Sequence, residues 1–180
     1  VLTNRAGQNA QMFFNGTVGQ LITLGVTNTT IAAPSCCTTS TVAIYKPDGT
    51  ALLSPVGFFQ PGLATSSIQL PVSGTYSLVL DPYNAVAGDT TLTLSEDLAA
   101  TITINSSATP FTFRAGQNGT ISFDGTSGQQ VTVRITNNNI GTVTVRLLRP
   151  DGSTMTSTGS GSVSFNVASQ TLTSSGTYKI

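Results

Sequence analysis

The sequence predicts an all-β protein made of two tandem antiparallel β-sandwich domains. Three observations carry that expectation: a composition of β-branched and turn-forming residues, hydrophobic alternation with a period of two, and an internal repeat spanning most of the chain. Of the 180 residues, 31 are threonine, 20 serine and 18 glycine, a mixture suited to pleated surfaces and tight turns and poor in the Lys, Glu and Ala that fill helices.

The repeat sets the element order. Arg5-Ala6-Gly7-Gln8-Asn9 returns as Arg114-Ala115-Gly116-Gln117-Asn118, an offset of 109 residues that holds as far as Ile31 and Ile140. Over those 27 positions 14 are identical, too many for chance in a region with no low-complexity run. The match resumes at Lys46-Pro47-Asp48-Gly49 against Arg149-Pro150-Asp151-Gly152 with an offset of 103, and at Ser73-Gly74-Thr75-Tyr76 against Ser175-Gly176-Thr177-Tyr178 with an offset of 102. The first copy therefore carries six extra residues between Ile31 and Val42.

Within each copy apolar residues alternate with polar ones, as in strands with one buried face. Met12 and Phe14 match Ile121 and Phe123. Ile22, Leu24 and Val26 match Val131, Val133 and Ile135, with Thr23 and Gly25 on the opposite, outward face. Val42 and Ile44 match Val145 and Leu147, and Tyr76 and Leu78 match Tyr178 and Ile180. Equivalent positions such as Phe14 and Phe123, or Leu24 and Val133, are expected to be buried alike. Turn signals separate the runs: Asn15-Gly16, Asp124-Gly125, Pro47-Asp48-Gly49, Pro150-Asp151-Gly152, Asp81-Pro82 and Gly88-Asp89. Both Pro-Asp-Gly stretches suit a type I turn closed by a glycine at positive φ.

The expected domains are 1–97 and 98–180, joined by Leu98-Ala99-Ala100 as a short linker. Aligning the copies leaves each outer end unfinished. The first begins at Val1, opposite Pro110, without the strand that Thr101 to Asn105 supplies to the second. The second ends at Ile180, opposite Leu78, without a counterpart of the strand from Thr90 to Glu96. Such gaps expose apolar core and unpaired backbone, a template for strand exchange with another copy or for neighbouring sequence of a longer array. The start at Val1 reads as a processed product, an excised piece or the ordered part of something longer.

Taken together, Arg-Ala-Gly-Gln-Asn, Phe-x-Gly-Thr-x-Gly-Gln, Pro-Asp-Gly-[Thr/Ser], Gly-Thr-Tyr and Leu-Asp-Pro resemble tandem β-sandwich repeats of large secreted bacterial surface proteins, similar in layout to bacterial pre-peptidase C-terminal domains. The resemblance covers nearly the whole chain. It implies jelly-roll-like sandwiches outside the cell, in a stalk, adhesin or appended module, and it carries over no catalytic residues.

The chemistry-bearing residues are few. Charged residues make up 8%, with seven basic and seven acidic side chains, and there is no histidine or tryptophan. No cationic surface for nucleic acid or anionic lipid exists, and no apolar run reaches the length of a membrane helix. Without histidine the commonest base and zinc ligand are missing, so neither a catalytic nor a metal site is expected. Asp48, Asp124 and Asp151 fall in turns, and Glu96 and Asp97 at a strand end, where solvated carboxylates are the plain reading. Asp81, Asn84 and Asp89 could offer loop oxygens to calcium, but Asp81-Pro82 is first a turn. Phe58, Phe59 and Tyr83 are the loop aromatics from which a sugar platform would be built. No cofactor is implied.

Cys36 and Cys37 lie in the six-residue insertion of the first copy. Free thiols, a link to a cysteine of another chain, and a strained vicinal disulfide all remain open. Four N-glycosylation sequons start at Asn15, Asn28, Asn105 and Asn118, all at expected strand ends or turns.

The expected function is a non-enzymatic, extracellular structural protein: a repeat segment of a cell-surface fibre, stalk or filament assembled head to tail with other copies. A carbohydrate-binding or adhesive module with a glycan ligand, or an accessory domain of a secreted hydrolase, is the alternative. Residues 1–97 carry a net charge of −3 and residues 98–180 one of +3, which weakly favours head-to-tail contact. Four of the five acids in the first half, however, lie between Asp81 and Asp97, in a stretch without a counterpart in the second.

Overall fold

The computed structural model describes residues 2–31, 39–84 and 86–180. It is all-β, with no helix among those residues and several antiparallel sheets. Unit 1 holds the residues up to Asp97 together with Arg114–Asn118, and unit 2 holds Leu98–Phe113 and Gly119–Ile180.

Unit 1 contains β1 (Leu2–Asn4), β2 (Ala10–Gly16), β3 (Leu21–Thr27), β4 (Ser40–Tyr45), β5 (Ala51–Phe58), β6 (Leu63–Ala64), β7 (Ile68–Gln69), β8 (Gly74–Asp81) and β9 (Gly88–Glu96). One sheet runs β2-β8-β4-β5 and the other β1-β9-β3-β6, with β7 also on β3. Alternate side chains from β3 in one sheet and from β4 and β8 in the other meet in a single cluster. Ile22, Leu24, Val26, Val42, Ile44, Tyr76, Leu78 and Leu80 form most of it, and Leu92 and Leu94 of β9 pack against it. Removing that much apolar surface from water is the main stabilising term of this half.

Unit 2 contains β10 (Leu98–Thr101), β11 (Gly119–Gly125), β12 (Gln130–Val131), β13 (Arg134–Ile135), β14 (Val143–Leu148), β15 (Thr154–Ser160), β16 (Phe165–Asn166), β17 (Gln170–Thr171) and β18 (Gly176–Lys179). Its main sheet runs β10-β11-β18-β14-β15, and among the described residues β12 pairs only with β17 and β13 only with β16. The buried cluster is smaller: Phe123, Leu147, Leu172 and Tyr178, with Ile102, Ile104 and Val131 against it.

Pairing registers recur at the sequence offsets. Phe14 faces Tyr76 as Phe123 faces Tyr178, and Gly25 faces Ala64 as Arg134 faces Asn166. Both Pro-Asp-Gly turns close on a glycine at positive φ, 81° at Gly49 and 84° at Gly152. Conformations of that kind cost a glycine little and most other residues more.

Several expectations are corrected by tertiary contacts. Leu98-Ala99-Ala100 is not a linker but most of β10, pairing in parallel with Gly119–Ile121, and the strand stops at Thr101 instead of running to Asn105. The outward face of β3 is not wet: Thr23 and Gly25 are buried along with their apolar neighbours. Thr23 is matched to a buried carboxylate, and Gly25 is covered by Ala115 and Gly116 of the Arg114–Asn118 turn. Equal burial of equivalent residues also fails, because Val133 and Phe14 are half-buried where Leu24 and Phe123 are buried.

Candidate functional site

Each half is framed by one tyrosine. The Tyr76 hydroxyl donates to the Val72 carbonyl at 2.6 Å and the Tyr178 hydroxyl to the Ser174 carbonyl at 2.8 Å, both four residues upstream. A buried phenol bonded back in this way is the tyrosine corner of many two-sheet proteins. Each ring stacks on the phenylalanine opposite, Phe14 at 5.3 Å and Phe123 at 5.6 Å between centroids. Around them the same bonds repeat. Gly19 and Gly128 donate their NH groups to Leu70 and Leu172, each at 2.8 Å. The Thr75 hydroxyl donates to Asn15 at 2.9 Å and that of Thr177 to Asp124 at 2.7 Å. Asn15 and Asp124 are therefore not turn residues, as the sequence suggested, but equivalent strand positions in β2 and β11 that accept from the threonine paired opposite.

The repeated Arg-Ala-Gly-Gln-Asn turn has one internal geometry. The Gln side chain accepts from the NH of the Arg three residues before it, at 3.1 Å in Arg5–Gln8 and 2.9 Å in Arg114–Gln117. Within unit 1 the Arg114–Asn118 turn has a seat: the Gln117 amide donates to the Glu96 carbonyl at 2.7 Å, and the Asn118 amide to Ser67 Oγ at 3.2 Å. Gly25 permits the approach, since a Cβ there would lie 3.0 Å from the Ala115 carbonyl oxygen. The position equivalent to Gly25 in the second half is Arg134, which could not accept a turn in that way. The Arg5–Asn9 turn is exposed.

Next to this seat, Asp97 is buried. It accepts a hydrogen bond from the Thr23 hydroxyl at 2.6 Å and another from the Ser67 hydroxyl. That corrects the reading of Asp97 as a solvated strand-end residue: two hydroxyl donors replace the water a carboxylate otherwise needs.

The two halves differ most at one sheet edge. In unit 1, β3 is flanked on one side by β6 and β7 and on the other by β9. In unit 2 the counterparts of β6 and β7 are in place as β16 and β17, but among the described residues no strand takes the place of β9. The counterpart of β3 is accordingly broken into β12 and β13, and Val131, Val133 and Ile135 are half-buried. Conversely, β2 ends its sheet, whereas its counterpart β11 is flanked by β10.

The residues singled out in the sequence are scattered. Phe58 is not a loop aromatic but lies in β5 at 1% exposure, while Phe59 and Tyr83 are 47% and 38% exposed. Burial of Phe58 in the core leaves no three-ring platform. Asp81 is exposed at the end of β8, Asn84 takes a left-handed φ of 50°, and Asp89 lies in β9. Among the described residues no three His, Cys, Asp or Glu side chains gather as a metal site. Asn15, Asn28 and Asn105 are exposed, the last two with φ of 49° and 66°, whereas the Asn118 amide is engaged in the turn seat. Cys36 and Cys37 lie outside the described residues. Asp48 and Asp151 are exposed. The hydroxyl of Thr50 or Ser153, then its backbone NH, holds each carboxyl below the ordinary aspartate range. The open edge left no single-residue signal; only the unequal lengths of the aligned copies pointed to it.

Neither a protein-family model nor a curated protein sequence matches the chain.

Proposed function

We propose that this chain is a non-enzymatic repeat segment of an extracellular fibre, stalk or filament. In this reading its halves, 1–97 and 98–180, are jelly-roll-like β-sandwich domains that associate head to tail with other copies or further repeats. The observation that carries the reading is repetition: pairing registers and tyrosine hydroxyl bonds recur in both units at the sequence offsets. Head-to-tail contacts between such repeats are heterologous and propagate instead of closing. A Thr- and Ser-rich surface with few charges supports an extracellular setting, and the absence of histidine supports a structural role over a catalytic one.

Sedimentation velocity and electron microscopy of the concentrated full chain test the proposal. End-to-end oligomers or filaments are expected. A chain that stays monomeric at high concentration and binds a glycan saturably would replace it with the adhesive-module reading.

A further inference from the structure

We infer that the outer face of β2, β8 and β4 is a binding platform for an extended, uncharged, β-linked hexose polysaccharide, with Phe13 and Tyr45 as its two ring contacts. The inference goes beyond the array reading and does not depend on it. Met12, Phe14, Tyr76, Leu78 and Ile44 belong to the core of unit 1, so the residues that alternate with them face outward. The pairing register then sets Phe13, Ser77 and Tyr45 in one row across three neighbouring strands. Two strand spacings separate the aromatic positions, about 10 Å between Cα atoms, with the serine between them. The adjacent row is Gln11, Val79 and Ala43, and Asp81 opposite Thr41 comes next. Phe13 is 67% exposed, the most exposed large hydrophobic side chain among the described residues.

Spacing, charge and contrast with unit 2 choose the ligand. The separation of the two aromatic positions is close to the two-residue repeat of an extended β-linked hexose chain, whose apolar ring faces stack on aromatic side chains while its hydroxyls stay free. Gln11, Ser77 and Thr41 stand beside the rings as hydrogen-bonding groups that fix orientation. No Lys or Arg occupies an outward position of these strands, and the one carboxylate there, Asp81, accepts from hydroxyl groups and repels uronate or sulfate. In unit 2 the equivalent row is Ser122, Lys179 and Leu148, with Arg146 at the place of Ala43. Unit 2 keeps the sheet without the rings, so the fold does not require them, and an aromatic side chain left in water is a mark of binding. The face is also independent of what flanks β2. A neighbouring strand lies in the plane of the sheet, as β10 does beside β11, where Asp124 stays exposed and Ser122 only half-buried.

The test is an amide NMR titration of the full chain with cellohexaose, an uncharged and extended β-linked chain. Amides of Phe13, Ser77 and Tyr45 should shift saturably, and maltohexaose, which coils, should leave them in place. Phe13→Ala should weaken cellohexaose binding at least about tenfold. Ser122→Ala, at the same position of unit 2, should leave it unchanged. Because Phe13 is exposed, its removal empties no part of the core and the variant keeps its fold. The inference is overturned if cellohexaose leaves the three amides unshifted, if maltohexaose shifts them equally, or if Phe13→Ala binds as tightly as the wild-type chain. It is also overturned if they shift on concentrating the chain without sugar, which would give the face to a second copy. Binding without end-to-end assembly removes the array reading and leaves the platform. Assembly without binding does the reverse.

Discussion

Phe14 and Phe123 occupy one position in two settings. Each stacks on the tyrosine across the strand pair, at 5.3 Å and 5.6 Å, yet Phe123 is 3% exposed and Phe14 is half-buried. In unit 2, Ile102 and Ile104 follow β10 and pack against the cluster that holds Phe123. Among the described residues of unit 1 no segment flanks β2 in that way. The opposite imbalance, Leu24 buried by β9 and Val133 half-buried without it, lies at the other sheet edge.

The pair separates burial from stacking. Phe123→Ala should cost about 3 to 5 kcal/mol, the range for emptying a closed aromatic site. Phe14→Ala should cost less, on the order of 2 kcal/mol, because part of that ring already meets water. Urea denaturation of the two variants checks the order, and equal losses would contradict it.

Gly25→Arg places in the first half the residue that stands at position 134 in the second. The new side chain would meet the Ala115 carbonyl and lift the Arg114–Asn118 turn from its seat. Amide exchange at Gln117 and Asn118 should accelerate, with the β2–β8 pairing unchanged. Unaltered exchange at those two amides would show that the approach at Gly25 does not hold the turn.

Asp97→Ala should cost about 2 to 3 kcal/mol, since it leaves the buried Thr23 and Ser67 hydroxyls without their acceptor. Asp97→Asn, which keeps one acceptor oxygen, should cost less. Thermal unfolding of both variants distinguishes lost hydrogen bonds from lost volume.

Asp48 and Asp151 have folded-state carboxyl pKa values depressed by hydrogen bonds from Thr50 and Ser153. A depressed pKa stabilises the fold at pH values above the unfolded value of about 3.9. That contribution is lost as the pH falls through the folded value. Stability should therefore decline below about pH 4, and the decline should be shallower in the double variant Asp48→Asn, Asp151→Asn. An unchanged slope in acid titration would assign the decline to other carboxylates.

The sequence by itself determined the all-β class, the internal repeat and the alternation along its main strands. Alternation in Ile22–Val26 and Val131–Ile135, the Pro-Asp-Gly turns and the paired Phe and Tyr positions are local signals, because side-chain direction in a strand depends only on parity. Tertiary structure decided which faces stay wet. Thr23 and Gly25 read as an outer face until Asp97 and the Arg114–Asn118 turn cover them. Leu98–Ala100 reads as a linker until Gly119–Ile121 offers it a ladder, and Phe58 reads as a loop residue until the core of unit 1 takes it in. Burial is a property of what lies opposite a residue, and in this chain the opposing segment lies tens of residues away. The equivalent repeat positions Leu24 and Val133 therefore differ in exposure: strand direction is local, but the strand that covers it is not.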